Sequence, residues 1–205
     1  EISPLTQRRW QYDEQTQFLL TSPEQKDATQ WVSLTASGCY AERPLVVWLE
    51  YLLWRASTDT SEHLQRIALF KNNTLRVQGL NQQQAHAYLT DWLAVWRLAQ
   101  QHPFVLPPAL FANVLKNAPQ WAFDTQGRDD IENYDVLEKM WLGQNFDKHS
   151  AVKNHQNKGC VLSPNWALLL MNQDAKVLLN QFAEQYAALL YRPLAEHIDV
   201  VVEEQ

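Results

Sequence analysis

The side chains of this sequence that could hold a metal ion gather in one polar stretch, where His149 and His155 precede Cys160. Imidazole nitrogen and thiolate sulfur suit zinc, which takes such ligands in a tetrahedron. The spacing matches no familiar zinc pattern, and a polar loop bearing histidines is ordinarily solvated. Upstream, Asp124, Asp129, Asp130, Glu132 and Asp135 offer carboxylate oxygens. They lack the alternate-position ligands of a calcium loop, so this run too reads as a solvated loop. Cationic chemistry has two candidate places. Lys148, Lys153 and Lys158 are interleaved with His149 and His155, and Arg8 and Arg9 run into Trp10. Such side chains neutralise phosphates, and a ring beside them can stack on a base, so these five cations are candidate DNA contacts. The plainer readings are a solvated loop face for the lysines and a solvated chain end for the arginines.

Catalytic signatures of other kinds are missing from the sequence. Gly38, Gly79, Gly127, Gly143 and Gly159 fit neither a GxxxxGK[ST] nor a GxGxxG pattern, so there is no nucleotide-cradling loop. No serine sits in a nucleophile elbow, and neither Cys39 nor Cys160 lies in a thiol-enzyme signature. Two cysteines this far apart read as reduced thiols of a cytoplasmic protein, with a disulfide as the alternative. A net charge of −6 argues against a domain that grips nucleic acid alone. The chain opens at Glu1 without an initiator Met, a basic leader or an apolar signal segment, and so reads as processed or as a piece of something longer.

The elements that would position these groups are organised around residues 44–56, PLVVWLEYLLWRA. Only Glu50 and Arg55 interrupt its apolar surface, and Pro44 suits the first turn of a helix. A helix of this length, about 20 Å, is too short to span a bilayer. It must therefore be covered by protein on nearly every side, as the central helix of a globular domain. Before it, residues 16–20 (TQFLL) and 30–36 (QWVSLTA) read as strands, joined as a hairpin through the polar turn 21–29 with Pro23. After it, residues 65–70 (QRIALF) and 74–77 (TLRV) form a second strand pair. Strand, helix and strand then make a βαβ crossover, expected to be right-handed. Asn81 caps a helix over 82–101 that carries Ala85, Tyr88, Leu89, Trp92, Leu93, Val95 and Trp96 as its apolar stripe.

The remaining chain reads as an extended segment at 104–108, a short helix at 109–117, an acidic loop, a helix at 131–142, a polar loop and one or two final helices over 165–191. Residues 1–15 are a lead-in segment and 124–160 a loop-rich insertion within a single domain spanning 1–205. The segment 104–123, FVLPPALFANVLKNAPQWAF, is dense in apolar side chains, yet Pro107, Pro108 and Pro119 keep it from forming one helix. Leu110, Val114 and Leu115 have the spacing of core positions. Phe111, Trp121 and Phe123 are candidate partner contacts, because aromatic anchors carry much of the affinity at protein interfaces.

The central helix between strands, the helix NQQQAHAYLTDWLAVWRLAQQHPFVLPP and the aromatic end of the chain together resemble the C-terminal domain of RecC, most specifically over 43–108. The resemblance implies an α/β fold related to PD-(D/E)XK nucleases but catalytically degenerate, with a small mixed sheet around a buried helix and a helical C-terminal half. It also implies RecB and RecD as partner subunits, DNA as the substrate of the assembly, and no cofactor, metal or catalytic residue in this domain. Nucleases of that fold hold Mg²⁺ with an Asp on one strand and a D/E-x-K pair on the next, since the hard ion wants oxygen ligands. The strands taken to correspond, 16–20 and 30–36, contain no Asp, Glu or Lys. Glu24-Gln25-Lys26 and Asp174-Ala175-Lys176 have the D/E-x-K spacing, the first in a turn and the second on a C-terminal helix, and neither has a partner Asp on an adjacent strand. The expectation is a non-catalytic assembly domain; the alternatives are a metal-dependent nuclease and a nucleic-acid-binding module acting alone.

Overall fold

The computed structural model describes residues 5–23, 29–39, 43–58, 63–71, 73–101, 168, 186 and 188–202. The chain divides into two compact units, Glu1–Trp96 with Pro193–Gln205, and Arg97–Arg192. The first contains β1 (Leu5–Gln11), β2 (Gln17–Pro23), β3 (Gln30–Thr35), α1 (Arg43–Ala56), β4 (Gln65–Phe70), β5 (Asn73–Val77), β6 (Ile198–Val202) and most of α2 (Gln82–Gln101). A third helix, α3 (Ala188–His197), begins in the second unit and ends in the first. In the second unit the described side chains include Leu190 and Tyr191, both buried.

β1 and β2 form a two-stranded antiparallel ribbon in which Trp10 lies opposite Phe18. Its turn is closed by the Asp13 carboxylate, whose Oδ1 accepts from the amides of Gln15 at 2.9 Å and Thr16 at 2.7 Å. The ribbon corrects two sequence expectations. Residues 5–11 are a strand within what read as a lead-in segment, and β2 pairs with β1 instead of β3. Residues 21–23 of the expected turn, Pro23 included, continue β2 instead, since a polar, proline-marked stretch does not say which strand its neighbour pairs with. The shorter turn with an Asp that satisfies two amides is the stronger hairpin signal.

β3 belongs to a four-stranded mixed sheet of order β3-β4-β5-β6. β3 and β4 are parallel and joined through α1, as a βαβ unit requires, while β4-β5 and β5-β6 are antiparallel. The architecture is thus a small mixed α/β fold. Register puts Trp31, Ser33 and Thr35 beside Arg66, Ala68 and Phe70 on one face, and Val32 and Leu34 beside Ile67 and Leu69 on the other. The first face packs on α1: the Trp31 and Trp54 rings meet edge to face at 6.0 Å. The final strand, β6, was absent from the sequence reading.

α1 follows the expected range and is buried along most of its length, with Trp48, Tyr51 and Leu52 fully enclosed. Arg55 is buried as well. Its Nε donates to the Leu80 carbonyl at 3.0 Å and its Nη1 to the Thr58 carbonyl at 3.1 Å, so a side chain that looked like a break in the apolar surface ties the helix to two loops. At the start of α2, Asn81 Oδ1 accepts from the Gln84 amide at 2.8 Å while Gln84 Oε1 accepts from the Asn81 amide at 2.9 Å. This reciprocal cap satisfies two amides that a helix start would leave open. Just before it, Gly79 holds a φ of 89°, and a Cβ there would come to 3.4 Å of His197 Nδ1. Among the described residues, no helix is long and apolar enough to cross a membrane.

Candidate functional site

Two grooves flank α1, and the helix period decides which residues enter each. Arg43, Val46, Val47 and Glu50 line the first together with Trp31, Val32, Ser33, Leu34 and Thr35 of β3 and Arg66 and Phe70 of β4. Positions 43, 46, 47 and 50 follow i, i+3, i+4, i+7 spacing, one face of a helix. The groove has a volume of about 760 Å³. Its organising side chain is Arg66, buried at an inward position of β4. The guanidinium stands 4.2 Å over the Trp31 ring, and its Nη2 donates to Glu50 Oε2 at 2.8 Å and to Ser33 Oγ at 2.8 Å. Nη1 donates to the Ile67 carbonyl at 2.7 Å. Burial lowers the Arg66 pKa below its ordinary value, and the Glu50 carboxylate works against that shift by hydrogen bond and charge. At the mouth, the exposed Arg43 guanidinium lies 5.9 Å from the Phe70 ring centroid.

The second groove is apolar. Trp10 and Phe18 from the ribbon, Leu49 and Leu53 from α1, and Leu89, Trp92, Leu93 and Trp96 from α2 line a volume of about 270 Å³. Its polar fixture is a hydrogen bond from Trp10 Nε1 to His86 Nδ1 at 2.6 Å. Trp96 remains 56% exposed at one end.

Neither groove holds a nucleophile poised by a base. Among the described residues, no group of three His, Cys, Asp or Glu side chains could hold a metal ion. The Glu50 carboxylate, which might have served as a ligand, is engaged by Arg66. What the arrangement can do is recognise: one groove by charge, hydrogen bonding and apolar contact, the other by apolar contact alone.

Of the residues singled out in the sequence, Arg8 and Arg9 are described and separate across the ribbon. Arg8 turns inward and donates from Nη1 to Thr58 Oγ1 at 3.1 Å, and burial lowers its pKa; Arg9 is exposed. Phe111, Trp121, Phe123, Lys148, Lys153 and Lys158 lie outside the described residues, as do His149, His155, Cys160 and both D/E-x-K stretches. Cys39 is buried. The two strands taken as a catalytic frame, β2 and β3, stand in different sheets and so offer no pair of neighbouring positions. Sequence reasoning missed Arg66 and Glu50. The available signal was an arginine at an inward position of the alternating strand QRIALF, which must find an anion or carbonyls once buried.

A family model described as the RecC C-terminal domain matches residues 7–119, a stretch that contains every residue lining the two grooves. Among curated proteins, none matches the chain.

Proposed function

The chain belongs to the RecC C-terminal domain family, and from that premise we propose that it is a non-catalytic assembly domain that holds neighbouring subunits and helps to shape a DNA path. The family makes it a component domain of RecBCD, exodeoxyribonuclease V, which acts in DNA repair and recombination. On this reading the fold is a degenerate relative of the PD-(D/E)XK nuclease core, working in the cytoplasm within a heterotrimer with RecB and RecD. Phe111, Trp121 and Phe123 add anchors for a subunit, and Arg9, Lys148, Lys153 and Lys158 supply salt-sensitive contacts to DNA held by the assembly. The observation that carries the reading is the Arg66 network. It ties up Glu50, the carboxylate of the larger groove, where a nuclease would need unpaired carboxylates for Mg²⁺. The neighbouring strand QWVSLT has no carboxylate to replace it.

Two measurements test this. With Mg²⁺ or Mn²⁺ the purified chain should cut neither single- nor double-stranded DNA, and tagged chain should retain RecB or RecD of the same organism on a column. Metal-dependent cleavage abolished by Glu50→Ala, Glu24→Ala or Asp174→Ala would establish the nuclease alternative instead.

A further inference from the structure

β3 is an outermost strand of the four-stranded sheet among the described residues, with β4 on one side. The ladder determines how its backbone groups are used. The Thr29 carbonyl accepts from the Gln65 amide at 2.8 Å, and the parallel register then runs unbroken from Gln30↔Gln65 to Thr35↔Phe70. Backbone groups of a strand alternate in direction, so Trp31, Ser33 and Thr35 point theirs at β4. Val32 and Leu34 point their N–H and C=O groups along the open side. The same two residues are 51% and 81% exposed, which places apolar side chains beside open main-chain donors and acceptors.

Folded proteins ordinarily blunt such an edge with a charge, a proline or a bulge. The opposite edge, β6, does so, with Asp199 exposed and in register with Arg76 of β5. The β3 sequence, QWVSLT, contains neither a charge nor a proline. The groove of the Arg66 network runs along this edge, and the exposed Arg43 cation stands in its wall.

We propose that β3 is a strand-addition site: an extended segment of another subunit of the complex pairs with its open edge through the backbone groups of Val32 and Leu34. Six residues of β3 offer about 20 Å of edge. The incoming strand would carry apolar side chains at alternate positions to lie over Val32 and Leu34, and a carboxylate to meet Arg43. Main-chain pairing supplies affinity in such additions, and the alternate side chains supply selectivity. The inference rests on the assembly role proposed above and names the surface that performs it.

The test compares wild-type chain with Leu34→Lys, which charges the exposed face, and Val32→Pro, which removes one outward N–H while leaving the β4 ladder intact. Each variant is first checked for an unchanged circular dichroism spectrum and Tm. Capture of RecB or RecD should weaken about tenfold or more in both variants. Should Val32→Pro disturb folding, Leu34→Lys with Arg43→Glu takes its place, since neither residue is buried. Capture that is equal for wild type and variants overturns the strand-addition site but keeps the assembly role. Failure of the wild-type chain to capture either subunit overturns both. Dimerisation of the isolated chain through this edge, abolished by Leu34→Lys, would assign the edge to a second copy and overturn the proposal.

Discussion

The two grooves beside α1 share a helix and differ in nearly everything else. Residues four apart share a groove, Leu49 and Leu53 the apolar one and Val46 and Glu50 the one along β3. On the apolar side, ring meets ring, with the Trp10 and Phe18 centroids 5.6 Å apart. On the β3 side a buried cation is balanced by one carboxylate, a hydroxyl, the Trp31 and Ile67 carbonyls and the face of Trp31. The lesson is about specificity. Apolar surface accepts many shapes, whereas a fixed cation and a strand edge with no neighbour among the described residues accept few, so the groove along β3 is the better place to read a partner.

The largest effect should come from breaking the charged side. Arg66→Ala strands Glu50 and removes the support under Trp31. Loss of one partner of a buried pair costs roughly 3–5 kcal/mol, and Glu50 is partly solvated, so the expected loss is nearer about 2–3 kcal/mol in urea denaturation. Arg66→Lys should recover little, because an ammonium cannot reproduce the fork to Glu50, Ser33 and Ile67. On the apolar side, His86→Ala removes the acceptor of the Trp10 indole and should cost about 1–2 kcal/mol. It should also alter tryptophan fluorescence at the ribbon while leaving capture of a subunit unchanged.

Tyr51 belongs to neither groove and sharpens the contrast through pH. Its hydroxyl donates to the Leu64 carbonyl at 3.2 Å and accepts from the Leu80 amide at 3.4 Å. Burial raises its pKa above the ordinary 10.0, an effect that the Leu80 amide and Arg55 partly offset. A phenol whose folded pKa exceeds its unfolded one gives stability that is complete below pH 10 and is lost as pH climbs through the folded value. Tyr51→Phe should therefore cost about 1 kcal/mol at neutral pH and flatten the alkaline limb of the stability curve. The smallest effect belongs to the open edge: Leu34→Lys should change stability by less than about 0.5 kcal/mol, as surface substitutions do, although it removes an apolar side chain from a strand.

How much was legible in the sequence follows from the range of each interaction. A nearly continuous apolar surface marked α1, an apolar stripe marked α2, and short runs bounded by polar turns marked β3 and β4, because each is written in neighbouring residues. The cap at Asn81 is local too and was found, although the answering bond from Gln84 was not. Strand partnership is not local. β6 joins β5 from the far end of the chain, and β1 rather than β3 takes β2, choices that no window of sequence contains. The candidate site failed to show for a related reason. Glu50 and Arg55 were read as breaks in an apolar helix, yet Arg55 reaches the Leu80 and Thr58 carbonyls and Glu50 finds Arg66, one strand away. Long charged side chains can be buried when distant elements bring them partners.

Amide hydrogen exchange on the chain, alone and saturated with RecB or RecD, tests the central claim most directly. The account predicts that the amides of Val32 and Leu34, open in the free chain, become strongly protected in the complex. Those of Trp31 and Ser33, already bonded to β4, should change little. Protection that appears at the ends of the apolar groove, around Trp96 and Phe18, with Val32 and Leu34 still exchanging freely, would contradict it.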